Sequence, residues 1–200
     1  PSCMLRGACR AFRFPSFWSE VEEGLSFGPS TWLLRDRTVR RRMGDIPEHV
    51  DWLPGASMMV RRSAIDELGG LDERYFLYYE ELDFCLKLTR AGWQCWYVPN
   101  SRVTHISGQS SGVTDRSRRA AQLPAYWYQS RRRFFAKNHG LLYAASTDAL
   151  AVLAHAVGRL KRRLAGKGHD NVHSWFADFM AHTILHPSNQ DVAPALEFEL

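Results

Sequence analysis

The 200-residue sequence has no run of the roughly 18–20 uninterrupted apolar residues that a membrane-crossing helix needs. Its nearest approach, Leu141 to Val157, is broken by Ser146, Thr147, Asp148 and His155. The opening segment, PSCMLRGACR, has no long apolar stretch, so no signal peptide is expected there. It starts at Pro1, which fits a piece of a longer protein. Cysteine is scarce. None of the four stands in CxxC spacing, which argues against a zinc or thiol-redox motif. Cys3 and Cys9 lie in an irregular start, and Cys85 and Cys95 in a helical and a strand-like segment. They read as free thiols in a reducing compartment, on the cytosolic side. No internal repeat is present.

What remains is an ordinary globular composition, 45% hydrophobic and 24% charged, with many aromatics. The length suffices for one domain with a real core, or a domain with an appendage. The net charge of +5 is unevenly placed. Residues 116–167 hold twelve Lys or Arg against one acid, Asp148, a local charge of +11; the rest of the chain, with fourteen bases and twenty acids, carries −6. An acidic body with a basic, apolar-striped extension points to an anionic partner, a membrane surface or a nucleic acid.

Residues 1–50 give little pattern, and the charged run Arg35 to Arg42 reads as a surface loop or a phosphate-facing stretch, the solvated loop being favoured because charge runs are usually just solvated. From Val50 the pattern sharpens. Gly55 to Val60, flanked by Pro54, predicts a short buried strand. Ser63 predicts a helix cap, with Asp66 completing a capping box and Gly69-Gly70 closing the helix. A second helix is predicted from about Glu80 to Arg90, with Leu82, Cys85, Leu86 and Thr89 inward and Gly92 at its end. Trp93 to Val98 and Arg102 to Ile106 read as strands. Strand, helix, helix and strand in quick succession predict an α/β sheet domain. Beyond the small-residue loop Gly108 to Gly112, helices are predicted. There Leu142, Ala149, Leu153, Ala156, Leu160 and Leu164 form an apolar seam, with His155, Arg159, Arg162 and Arg163 away from it.

The acidic cluster Glu80-Glu81-Leu82-Asp83 opens the second helix, directly after the aromatic run Tyr75 to Tyr79. Acids in a first turn are favoured by the helix dipole, by roughly 0.3–1 kcal/mol each, and most such clusters need no other reason. Carboxylates beside apolar rings are also partly desolvated, which raises their proton affinity toward that of a general base. His105, at a strand end before the small-residue loop, is either a structural histidine or a divalent-metal ligand. The pairs His169/His173 and His182/His186 lack the Glu of a protease motif and read as helix-surface residues.

Taken together, residues 50–112 carry a set of motifs in a fixed order. These are the Gly-Ala-x-Met segment with its Arg-Arg exit, the Gly-Gly-Leu-Asp-Glu turn, the aromatic run and Glu-Glu-x-Asp-x-Cys, then Ala-Gly-Trp, Tyr-Val-Pro, and a His before a Ser-Ser loop. This stretch resembles the second half of the nucleotide-sugar-binding (GT-A) fold of family 2 glycosyltransferases of the rhamnosyltransferase type. The resemblance divides the chain into residues 1–115, the acceptor side of a catalytic domain, and residues 116–200, a helical basic extension. It implies that Glu81, with Glu80 and Asp83 beside it, supplies the base that deprotonates an acceptor hydroxyl. The family's motif is commonly Glu-Asp-x-Asp, so Glu81 reaches one methylene further. Trp52, Gly55, Ser110 and Ser111 are expected on the acceptor side, and His105 matches a histidine that in some relatives helps hold a divalent metal, Mg²⁺ or Mn²⁺.

Gln129-Ser130-Arg131-Arg132 faintly resembles the Gln-x-x-Arg-Trp element of processive relatives, with Arg133 in place of Trp. The implied partners are a nucleotide-sugar donor such as dTDP-rhamnose, a lipid-linked saccharide acceptor and an anionic membrane surface, with the protein peripheral on the inner face of a bacterial cell membrane. No nucleic acid is expected as a partner, although a non-catalytic module binding nucleic acid through Arg and aromatics at 126–135 is the alternative reading. The sequence has no Asp-x-Asp and no glycine-rich phosphate loop. The resemblance therefore predicts a carboxyl-terminal portion of a longer enzyme.

Overall fold

A computed structural model describes residues 10–25, 28–101, 103, 123–166 and 172–185. The described chain is helix-rich, and its strands are short. Strands β1 (Arg10–Phe12) and β2 (Arg40–Arg42) pair antiparallel, with Ala11 opposite Arg41. Strands β3 (Glu48–Val50) and β4 (Cys95–Tyr97) do the same, with Val50 opposite Cys95. A bridge from Phe12 to Trp52 joins the two ribbons, and those rings stack at 4.4 Å. Two-stranded ribbons are marginal alone. Here Ala11, Val50, Cys95 and Tyr97 bury their inner faces against Cys85 of a helix.

That helix, α4 (Glu80–Arg90), is the hub of the first part. Cys85 faces the ribbons, Leu82 packs with Tyr75, Phe134 and Phe135, and Phe84 and Leu88 pack with Ala64 of α3 (Arg62–Leu68). Being covered on three sides, α4 buries Phe84 and Leu88 beyond the predicted stripe, while Thr89 is exposed and donates its hydroxyl to the Cys85 carbonyl. The chain enters α4 through Tyr78 and Tyr79, both at positive φ (69° and 70°). No side chain among the described residues caps the helix. Its first turn instead holds Glu80, Glu81 and Asp83, whose charges suit the free N–H groups there.

Two predictions between Gly55 and Asp66 are corrected. Gly55–Ser57 is a 3₁₀ turn, not a buried strand, and Met59 is 99% exposed. Pro54 fixes the entry, and the Ser57 N–H bonds back to the Pro54 carbonyl at 3.2 Å, closing the turn that presents Gly55 to α4. Helix α3 begins at Arg62, with Arg61 at its cap position and no side-chain cap. Asp66 is drawn into an exposed pair with Arg62 at 2.7 Å, one turn back, and does not complete a capping box. The predicted strand at Arg102 to Ile106 lies almost wholly outside the described residues.

The later helices are α5 (Ala125–His139), α6 (Leu141–Leu164) and α7 (Val172–Phe179), followed by a π-helical turn at Met180–Leu185. Gly140, at φ +90°, ends α5 and starts α6 at a single residue, a conformation that strongly favours glycine. These helices do not stand apart from the first 115 residues. Helix α6 packs along α1 (Phe17–Leu25), which the short α2 (Gly28–Leu33) follows, and α5 packs on α4. At the α1–α6 crossing Gly158 meets the Gly24 backbone so closely that a side chain at either position would collide.

Buried ion pairs tie the set together. Arg131 is buried; it pairs with Glu20 of α1 at 2.8 Å and Asp148 of α6 at 2.5 Å, and lies over the Phe135 and Phe179 rings. Arg132 takes the other Asp148 oxygen at 2.6 Å. Arg133 and Lys137 bind Asp72, and Lys137 also binds Asp83. With Tyr128, Phe134 and Phe135 buried as well, the Arg and aromatic side chains at 126–135 form internal contacts. Most of these side chains are thus taken up in packing rather than presented together as a base-stacking surface.

Candidate active site

A cavity of about 670 Å³ opens where β1, α1, the end of β3, the start of α4 and α5 converge. Phe12, Trp52, Tyr78, Tyr79 and Trp127 supply its rings, Glu20, Glu22 and Glu23 of α1 form an acidic wall with Arg40 of β2 beside it, and Glu81 and Leu82 of α4 also line it. The wall of rings predicted beside the carboxylates is thus present, but its members differ. Tyr75 turns inward to hydrogen-bond Asp83 at 3.3 Å, and Phe76 is exposed. Tyr79 is held beneath by Trp127 and Phe134.

Glu81 is more than a first-turn acid. Its carboxylate accepts from its own N–H and from the N–H of Gly55. A Cβ on Gly55 would lie 3.8 Å from that of Glu81, which shows how near the turn comes. One oxygen of each of Glu80 and Glu81 is buried without a hydrogen-bond partner among the described residues. Burial, reinforced by the Glu80 charge, pushes the Glu81 carboxyl up from 4.5 to about 6, against the opposing pull of the two N–H groups. Across the cavity, burial and Glu20 likewise raise Glu23 above the usual carboxylate range. A site that holds negative charge at this cost suits a proton acceptor.

The remaining sequence candidates separate. Trp52 lines the cavity, with its indole N–H donated to the Arg13 carbonyl at 3.0 Å. Gly55 touches the site through Glu81. Asp83 points elsewhere: it is buried and bound by Lys137 at 2.5 Å, Asn138 at 2.6 Å and the Tyr75 hydroxyl, so it braces α4 against α5. His105, Ser110 and Ser111 lie outside the described residues. Of the helix-surface histidines, His182 is half-buried and stacked on Tyr128. The α1 carboxylates and Trp127 were not singled out in the sequence. Glu20-x-Glu22-Glu23 was the available signal, but only folding brings it opposite Glu81.

Among the described residues no group of three or more His, Cys, Asp or Glu is placed to hold a metal ion. The described residues therefore do not by themselves provide the donor set that the implied Mg²⁺ or Mn²⁺ requires.

A raised carboxylate in an aromatic, acid-walled cleft defines a class of site suited to polyhydroxylated substrates. Rings offer flat apolar faces, and carboxylates accept from hydroxyls. The chain belongs to Glycosyl transferase family group 2, whose sequence model matches residues 16–181. It is 35% identical over 165 residues to the N-acetylglucosaminyl-diphospho-decaprenol L-rhamnosyltransferase of Mycobacterium tuberculosis, covering 80% of this chain and 48% of that protein. It is 43% identical over 58 residues to Rhamnosyltransferase WbbL of Escherichia coli (strain K12), covering 29% of this chain and 22% of that one. A third relative is the Low-salt glycan biosynthesis hexosyltransferase Agl10 of Haloferax volcanii, 37% identical over 62 residues and matched over 26% of this chain and 20% of its own length. The chain thus spans about half the length of the Mycobacterium tuberculosis relatives. No solved structure matches it.

Proposed function

We propose that the chain is part of an inverting glycosyltransferase that moves rhamnose from dTDP-rhamnose to a lipid-linked saccharide, at the inner face of the cell membrane, in cell-surface polysaccharide synthesis. The observation that carries the proposal is Glu81: a carboxylate with raised proton affinity and one buried oxygen that has no partner among the described residues, facing a ring-lined cleft. The rhamnosyl donor and lipid-linked acceptor are inferred from the similarity to rhamnosyltransferases.

An acceptor sugar seated on Trp52 and Tyr78 would place a hydroxyl toward Glu81. With a pKa of about 6, Glu81 is largely ionised at neutral pH, yet it is a stronger base than an ordinary glutamate. It takes the hydroxyl proton as the oxygen bonds to the sugar's anomeric carbon. The bond from that carbon to the diphosphate breaks on the opposite face, and the diphosphate leaves with the electron pair. One displacement inverts the anomeric centre. The test is Glu81→Gln in the complete enzyme: turnover is expected to fall by roughly 10²–10⁴ with little change in donor binding. Near-normal turnover would move the role to Glu80.

A further inference from the structure

Helix α6 is inside out for a helix of a water-soluble protein. Ordinarily the leucine stripe faces the core, and small or polar residues face water. Here the face against α1 and α5 is built of Ala144, Thr147, Ala151, Ala154 and Gly158, all buried. The predicted apolar seam points the other way: Leu142 is 87% exposed, Leu153 60%, Leu160 58% and Leu164 81%. Helices pack through small residues and leave leucines outward where the surrounding medium is itself as apolar as leucine.

Asp148, the one acid in α6, is turned inward to Arg131 and Arg132. The last turn carries Lys161, Arg162 and Arg163; Lys161 donates to the Leu25 carbonyl at 3.1 Å, and Arg163 is exposed. The face bears no acid and ends in this basic turn, which an anionic lipid surface complements. By length and composition α6 could cross a membrane. Its inner face argues for lying flat, because α1, with Glu20, Glu22 and Glu23, and the ionic centre at Arg131 pack along it.

We infer that the outward face of α6 is a docking surface that seats its leucines in the plane of an anionic phospholipid bilayer. This deepens the proposed function by naming the surface that brings the enzyme to a lipid-linked acceptor, but it stands on geometry independent of Glu81. About 36 Å of helix lies along the interface. Helix α1, seated on its inner side through Gly24 and Gly158, lines the cleft, which is thereby held close to the bilayer.

The complete protein is tested by sedimentation with vesicles of phosphatidylcholine alone and of phosphatidylcholine mixed with phosphatidylglycerol. Binding to the anionic vesicles is expected to weaken without vanishing as salt rises, since salt screens charge but not apolar insertion. L153E/L160E should cut partitioning on the order of 100-fold with an unchanged melting temperature, because both side chains are exposed. L153Q/L160Q repeats the test without added charge if the first variant folds poorly. Glu81→Gln should bind vesicles normally, so a failure of the catalytic reading leaves this result standing. Unchanged partitioning of both double variants would overturn the inference. So would equal binding to neutral and anionic vesicles, or a solution dimer that the leucine substitutions dissociate.

Discussion

If burial and the Glu80 charge raise Glu81, then removing its charge should stabilise the protein while disabling it. The folded-state value of about 6 exceeds the ordinary 4.5, so the native state binds this proton more tightly than the unfolded chain. Stability linked to Glu81 is therefore greatest below about pH 4.5, declines as pH rises through 6, and stays reduced above it. The gap between 4.5 and about 6 corresponds to about 2 kcal/mol as an upper bound. Partial solvent access and coupling to Glu80 reduce this to about 1–2 kcal/mol. Glu81→Gln keeps the shape, keeps an acceptor for the Gly55 N–H, and offers an amide donor toward Glu80. Thermal melts in stepped buffers should show the variant about 2–6 °C more stable above neutrality, with the advantage fading toward pH 4.5. Activity should fall over the same range, a trade of stability against function. A variant no more stable than the parent above neutrality, or one with the parent's pH profile, would refute the account of a desolvated, charge-crowded carboxylate.

Other expectations follow from the packing. Gly158→Ala pushes a methyl into the Gly24 carbonyl and should cost about 1–3 kcal/mol in urea unfolding; an unchanged midpoint would mean that α1 and α6 are not in close contact. Arg131→Met leaves Glu20 and Asp148 buried beside a neutral side chain and should cost about 3–5 kcal/mol in urea unfolding at neutral pH; an unchanged midpoint would mean that the ionic centre is not buried. Burial alone would raise the Asp72 carboxyl, but hydrogen bonds from Arg74, Lys137 and Arg133 outweigh it and hold it well below the usual range. Its stabilisation is complete above the ordinary 3.8 and lost as pH falls below that, so Asp72→Asn should destabilise at neutral pH and converge with the parent in strong acid. Calorimetry of the 200 residues alone with dTDP-rhamnose and Mg²⁺ or Mn²⁺ should show no micromolar binding, since the sequence has neither Asp-x-Asp nor a phosphate loop.

Local pattern made part of this protein readable without coordinates. The Glu80 start of α4, the Gly69 and Gly92 stops, the strand around Cys95 to Tyr97 and the seam on α6 all follow from spacing and from residues with narrow backbone preferences. The order of motifs across residues 50–112 placed the chain in its family, because so many matches in sequence constrain one another. The errors fell where a local signal met a competing contact. Gly55 to Val60 is apolar enough for a strand, but Pro54 and the approach to Glu81 make it a turn. Ser63 and Asp66 have capping-box spacing, but Arg62 captures the acid.

Chemical identity and helical period are local properties, so the sequence alone determined that Glu81 opens a helix beside aromatic rings and that α6 carries a leucine stripe. Desolvation and facing depend on residues far apart in the chain, and only the tertiary structure decided them. It separated Glu81 from Asp83, three and five residues after Tyr78 but bound to opposite surroundings, by giving Asp83 to Lys137 and Asn138. It set Glu20, Glu22 and Glu23 across the cleft from Glu81, over a separation of about sixty residues that no local pattern spans. It also turned the leucines of α6 outward, because Gly24 and Gly158 allow α1 to sit so close that only small residues fit between the helices.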